Sequence, residues 1–285
     1  MDRIAVMTDT NSGLTPEQAS QLGVYLLPMP FTVGERACFE HLDISQEEFY
    51  ARQLQGESIT SSQPAPADLL AMWDEALTDH ETVIYIPMTS GLSGSCATAT
   101  ALAQEYEGRV LVVDNRRISV PLKQSVLEAV RLRDAGRSPQ EIAQRLEEKA
   151  LESHIYITVE DLTHLKKTGR ITPTVAAVGT VLNIKPVMEI RGGKLDMYRK
   201  VRGMKQARQT MLDAVRCDLE EEFAGKRVII AAAYSGSREE GEAWAQVVQE
   251  SFPGYPFLSD PLPLSIGCHV GPGALGAAVL TDYDL

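Results

Sequence analysis

The sequence predicts an α/β protein of two domains, an N-terminal parallel sheet with helices on both faces followed by a C-terminal α/β domain with a mixed sheet. Three observations carry that expectation. Strand and helix patterns alternate through the first half, as the crossovers of a parallel sheet require. The second half reads differently, with a hairpin set among its helices and strands. A length of 285 residues suits one large domain or two of ordinary size.

In chain order, strands are expected over residues 4–7, 24–27, 82–86 and 110–113, the last two being short apolar runs rich in β-branched residues. Helices fall between and after them, over 66–77, 93–106, 120–134 and 139–151. In the first of these Leu69, Leu70, Trp73 and Leu77 share a face. A strand over 155–158 is followed by two short helical patterns around 161–167 and 173–182. Residues 185–191, Gly192-Gly193 and 194–201 then read as a β-hairpin with a two-residue turn. A long helix over 204–222, a buried strand over 228–234 and a helix over 238–251 lead to a strand-like end. The domains are expected at 1–157 and 158–285. Internal repeats and low-complexity tracts are not apparent.

Composition removes several classes of function. Hydrophobic residues make up 44% and charged residues 23%, the balance of a folded chain. The longest apolar runs, 25–33 and 228–234, fall well short of the roughly 20 residues a membrane-spanning helix needs. Met1-Asp2-Arg3 followed at once by Ile-Ala-Val-Met has no signal-peptide anatomy, so a cytoplasmic location is expected. Four cysteines, Cys38, Cys96, Cys217 and Cys268, lie far apart with no C-x-x-C pair and read as buried thiols. With no H-E-x-x-H pair and no calcium-loop pattern, neither a metal site nor a cofactor is expected. The net charge of −12 disfavours nucleic acid and anionic membrane surfaces. Within this acidic chain, Lys194, Arg199, Lys200, Arg202, Lys205 and Arg208 face only Asp196 and form a strongly positive stretch.

Four segments sit where a strand ends or a helix begins. Ser90-Gly91-Leu92-Ser93-Gly94-Ser95 can let backbone approach a ligand and offer helix N–H groups to an anion, or Ser93 can simply cap its helix. Thr60-Ser61-Ser62-Gln63-Pro64-Ala65-Pro66 is a hydroxyl-rich loop that alone reads as a linker and cap. Ile266-Gly267-Cys268-His269-Val270-Gly271-Pro272-Gly273 sets one histidine among special backbone residues, implying a tightly specified turn. Leu165-Lys166-Lys167-Thr168-Gly169-Arg170-Ile171 reads as a helix ending in basic residues and a C-cap glycine.

Together these segments resemble the DegV family, whose members look like lipid-binding proteins and include the fatty-acid-binding subunits of bacterial fatty acid kinase. The resemblance runs from the Asp9-Thr10-Asn11-Ser12 turn to the Gly-Pro-Gly near the end. The family's Thr-Ser-Gln-Pro-Ser is here Ser61-Ser62-Gln63-Pro64-Ala65, and Thr168 replaces a glycine of Leu-Lys-Lys-Gly-Gly-Arg-Ile. The resemblance implies a fatty acid carboxylate held at Ser61, Ser62, Ser93 and Gly94 with His269 nearby, and Arg202 and Arg170 in contact with a partner or the head group. It implies a long-chain fatty acid such as palmitate, stearate or oleate, held between the domains and presented to the catalytic subunit of a fatty acid kinase. Such a protein is not itself an enzyme, and its membrane contact would be transient.

The residue chemistry agrees. Ser61, Ser93, the Gly94 N–H and His269 can donate to a carboxylate, while the tail needs an apolar wall, expected from residues 175–182 and 228–233. The alternative is a serine hydrolase acting on acyl esters through Ser93 and His269, since Gly91-Leu92-Ser93-Gly94-Ser95 lies at a strand-to-helix turn. Against it, the elbow needs G-x-S-x-G and position 95 is serine. There is also no His-Gly-Gly-Gly segment ahead of it.

Overall fold

In the computed structural model, which describes residues 3–160, 162–176 and 183–282, β1 (Ile4–Asp9) is buried along its whole length. Such burial requires cover on both faces. The first half continues with α1 (Pro16–Leu22), β2 (Val24–Leu27), β3 (Pro30–Val33), β4 (Arg36–Phe39), α2 (Gln46–Leu54) and β5 (Ile59–Ser61). Next come α3 (Pro66–Asp79), β6 (Thr82–Ile86), α4 (Ser95–Ala103), β7 (Val110–Val112), α5 (Ser119–Asp134) and α6 (Pro139–Glu148). A parallel sheet of order β2-β1-β6-β7 forms its centre. Alternate residues of that sheet divide between two layers. Ala5, Met7 and Tyr85 pack on Leu69, Trp73 and Ala99, whereas Ile4, Val6, Ile84 and Ile86 pack on Leu122, Val126, Ile142 and Leu146. The predicted architecture of this half is therefore present, with helices on both faces.

The second half runs β8 (Ser153–Thr158), α7 (Thr163–Thr168), α8 (Pro173–Ala176), β9 (Ile184–Arg191), β10 (Lys194–Arg202), α9 (Gly203–Glu220) and β11 (Val228–Tyr234). It ends with α10 (Arg238–Ser251), β12 (Phe257–Pro261), α11 (Leu264–Val270) and β13 (Leu275–Thr281). Its sheet has the order β10-β9-β8-β13-β11-β12; only β11 and β12 pair in parallel, which makes the sheet mixed as expected. Because β8 begins at Ser153, this sheet takes in residues ahead of the expected division at 157. One face packs on Met211, Val215, Trp244 and Val248 of α9 and α10. On the other, Ile157, Met188, Ile190 and Leu195 join Ile84, Met88 and Leu122 in a cluster shared by both halves.

Two segments depart from the sequence reading. Thr60 and Ser61, expected in a loop, lie on β5, part of a small antiparallel sheet of order β4-β3-β5. Residues 266–270, expected as a turn, are helical in α11. Both departures share a cause: Leu264 and Cys268 of α11 complete a cluster with Phe31, Val33, Phe49 and Ile59, so the small sheet and the distant helix fold on each other. Local periodicity carries no trace of such a pairing. The thiols need a correction too, as Cys38, Cys96 and Cys268 are buried but Cys217 is exposed. His154, Asp218 and Glu222 gather closely enough to hold a metal ion. Arg191, however, already bridges Asp218 at 3.1 Å and Glu222 at 2.6 Å, which makes the group an ion-pair network tying β8 and β9 to the C-terminal end of α9 and the residues just after it.

The Gly192-Gly193 turn has φ of 64° and 92°, the left-handed pair that a tight hairpin turn demands. Its tip is also a contact between the halves. A Cβ on Gly91 would overlap the Gly193 carbonyl oxygen, and one on Gly193 would overlap the Thr89 hydroxyl. Gly91 is thus required by the hairpin tip, a different reason from the ligand approach its motif suggested. Gly91→Ala is expected to lower stability by about 1–3 kcal/mol, as overpacking does. A denaturant titration should show this as a lower midpoint at an unchanged slope, and an unshifted midpoint would refute the contact.

Candidate functional site

Between the shared cluster and the six-stranded sheet lies a cavity with an empty volume of about 1030 Å³, counting its opening to solvent. Its lining, mostly apolar with a few polar groups, is that of a small-molecule site. At one end it is lined by Ser61, Ser62, Gln63, Ser93, Arg170 and His269, of which Ser62, Gln63 and Arg170 are exposed. The other end is made by Val120, Ile155, Ala231, Ala277 and Ala278, with Ala231, Ala277 and Ala278 almost wholly buried. Polarity therefore falls from mouth to floor, apart from the buried Ser119 hydroxyl beside Val120. Of the expected apolar wall, residues 231–233 line the cavity; Val175 is buried in the adjoining core, and residues 177–182 lie outside the described residues.

Each polar residue is delivered by a separate element. Ser61 ends β5, where it pairs with Phe31, and the Ser62 N–H donates to the Pro30 carbonyl at 3.1 Å. Ser93 sits in the turn after β6, held by the Leu92 and Ser93 N–H groups donating to the Thr89 carbonyl. Its hydroxyl accepts the Ser95 N–H at 3.2 Å and donates to Ser95 Oγ at 3.0 Å. Ser93 accordingly ties down the start of α4 as well as lining the cavity. Gly94 is exposed beside Gln63 and is not among the lining residues. Arg170 follows the left-handed cap Gly169 at the end of α7, where its guanidinium donates to the Thr168 carbonyl. Arg202 is exposed at the start of α9, away from the lining.

The central contact joins residues 208 apart in sequence: Ser61 Oγ and His269 Nε2 lie 2.7 Å from each other. Burial first, and the Arg170 charge second, depress the His269 pKa to about 4, so the imidazole is neutral near pH 7. With its proton on Nε2, His269 donates to Ser61 and frees the serine O–H for an anion in the cavity. Among the described residues, His269 Nδ1 has no hydrogen-bond partner. A catalytic triad needs a carboxylate at that nitrogen and a nucleophile on the other, and here the other nitrogen meets Ser61 rather than Ser93.

Three polar lining residues had no site role in the sequence reading, Asn11, Ser119 and Ser265. The buried Asp9 carboxylate accepts from the Asn11 N–H, Asn11 Nδ2 and the Met88 N–H, each at 2.9 Å. Burial raises the Asp9 pKa to about 6 against the lowering effect of those bonds. Ser265 Oγ donates to Asn11 Oδ1 at 2.6 Å. The one signal available was the polar run Asp9-Thr10-Asn11-Ser12 directly after an apolar strand. Among the described residues, no helix is long and apolar enough to cross a membrane.

A family model described as uncharacterised protein, DegV family, matches residues 3–282. A DegV domain-containing protein of Deinococcus radiodurans is 32% identical over 277 residues, covering 97% of this chain and 98% of that one. The fold is similar to a DegV family protein from Thermus thermophilus described as binding fatty acid, at 30% identity and a TM-score of 0.89, covering 98% of this chain and 100% of that one. It is also similar to DegV of Bacillus subtilis, described as a fatty acid binding protein, at 26% identity and a TM-score of 0.86, covering 99% and 100% of the two chains.

The low His269 pKa has a measurable consequence. A histidine that titrates near 4 when folded and 6.5 when free stabilises the fold fully above pH 6.5 and loses that contribution as pH falls towards 4, because the unfolded chain takes up the proton first. Wild-type stability should fall over that window by on the order of 3 kcal/mol more than that of His269→Gln. Denaturation midpoints at stepped pH test this, and parallel curves for the two proteins would contradict it.

Proposed function

The chain belongs to the DegV family, and on that premise we propose that it binds a long-chain fatty acid such as palmitate, stearate or oleate. The carboxylate lies at Ser61, Ser62, Ser93 and His269, and the tail runs between the domains. One observation carries this reading: a single cavity passes from hydroxyls at an exposed mouth to a buried floor of alanines. An amphipathic anion matches that gradient. Each buried CH₂ is worth about 0.8 kcal/mol and a charge-assisted hydrogen bond about 1.5–3 kcal/mol. The tail therefore supplies most of the affinity and the clamp sets the direction.

We further propose that the bound carboxylate is presented to a separate kinase for conversion to acyl phosphate, the work being cytoplasmic and contact with membranes transient. Two features support this. The polar end of the cavity is the open end, and Arg199, Lys200 and Arg202 are exposed on an acidic protein. No observation favours the hydrolase. Its histidine faces Ser61 and lacks an orienting carboxylate.

Protein purified from cells should yield long-chain fatty acid on extraction and mass spectrometry, and added acid should raise Tm. Absence of both would end the carrier reading. Ser61→Ala is expected to weaken acid binding by about one to two orders of magnitude without abolishing it. Arg202→Ala should leave binding unchanged and slow kinase-dependent acyl phosphate formation, most visibly at low salt. Ala278→Leu should shift the preference towards shorter acids, as measured by competition across a chain-length series. Equal loss at every length would place the tail elsewhere.

A further inference from the structure

We infer that Asn11 and Ser265 are positioning residues for the carboxylate clamp, holding the cavity face of α11 so that His269 meets Ser61. This rests on the fatty acid reading of the cavity. Ser265 and His269 are four residues apart on α11, which puts them on one face, and both line the cavity. The helix itself has only seven residues and sits far in sequence from the rest of the clamp. Its orientation must come from tertiary contacts.

The contact at Ser265 is the most rigidly built of them. Asp9, fully buried, fixes Asn11 through both its backbone N–H and its side-chain amide. That leaves Asn11 Oδ1 as the acceptor for Ser265, and the amide orientation follows from its bond to a carboxylate. A chain of buried hydrogen bonds thus runs from the end of β1 into α11, and one turn later the helix presents His269 to Ser61 at 2.7 Å. Other anchors of α11 act on its backbone and its ends: Glu40 accepts the Leu264 N–H, and Gln53 donates to the Gly267 carbonyl. Among the described residues, and apart from the Ser61–His269 contact itself, the Asn11 bond is the side-chain hydrogen bond on the face that carries His269. Loss of this grip frees that face of the short helix to shift, which weakens a directional charge-assisted hydrogen bond while the apolar tail still binds.

The test compares binding of palmitate with binding of methyl palmitate, which has the same tail but no anion, to the full-length protein. Wild type should prefer the acid. Ser265→Ala should lose about tenfold in palmitate affinity with methyl palmitate unchanged, and Ser265→Thr, which restores a hydroxyl, should recover the preference. The His269 imidazole resonances, identified by their absence in His269→Gln, should shift in ligand-free Ser265→Ala. Unmoved resonances together with equal losses for acid and ester would overturn the positioning role, leaving Ser265 a plain packing residue. If wild type itself fails to prefer the acid while the resonances still shift, the fatty acid clamp is wrong and the positioning of His269 stands.

Discussion

Everything in this molecule follows from one sheet face that cannot be left to water. The six-stranded sheet gives one side to α9 and α10, and on the other Ile157, Met188, Ile190 and Leu195 find their partners among residues of the first half. Each such side chain is worth about 1.5–3 kcal/mol on burial, so the two halves are committed to each other. The cavity is the region where the facing surfaces fail to meet, because β11 and β13 offer Ala231, Gly276 and Ala278 there instead of larger residues. The same need for close approach explains the glycine at the hairpin tip. Gly193 sits against Thr89 and Gly91 with no room for a side chain, which fixes the distance between the halves.

The clamp then depends on elements that the core brings in from both ends of the chain. Ser61 comes from a three-residue strand, Ser93 from a turn, and His269 from a helix 208 residues beyond Ser61. None is anchored by its own length. They are anchored by buried polar groups: Asp9 for the first turn, Glu40 for the start of α11, and Gln53 for its middle. Burial raises the Glu40 pKa to about 7 and that of Asp9 to about 6, while it lowers His269 to about 4. All three shifts favour the uncharged form, the expected result of placing ionisable groups in a dry interior.

The sequence made the larger architecture legible because long amphipathic helices and β-branched strands advertise themselves. The helix 66–77 was found through Leu69 and Trp73, which the structure buries on the parallel sheet, and the hairpin through Gly192-Gly193. What stayed hidden was whatever depends on partners remote in sequence. The strand holding Ser61 has three residues, and α11 hides as a turn because Gly267, Gly271, Pro272 and Gly273 read as turn residues. The site motifs were legible as hydroxyls and glycines at element ends, and Ser61, Ser62, Ser93, Arg170 and His269 do line one cavity. Gly94 and Arg202 do not line it, and Asn11, Ser119 and Ser265, which do, carry no site signal of their own. A buried serine four residues before a histidine looks like any polar residue until the helix under both is known.

The neutrality of the clamp bears on what it can hold. A lysine or arginine buried beside the head group would have to be desolvated together with the carboxylate, a cost that can exceed their attraction. Hydroxyls and a neutral imidazole give direction at a modest cost in desolvation, with Arg170 at the exposed rim adding positive potential without being buried. For the proposed ligand, affinity then scales with the tail, and the head group remains near solvent where a second protein can reach it. A carrier needs this division. Strong grip on the apolar part keeps the lipid from water, and weak grip on the polar part leaves the carboxylate at the exposed end of the cavity.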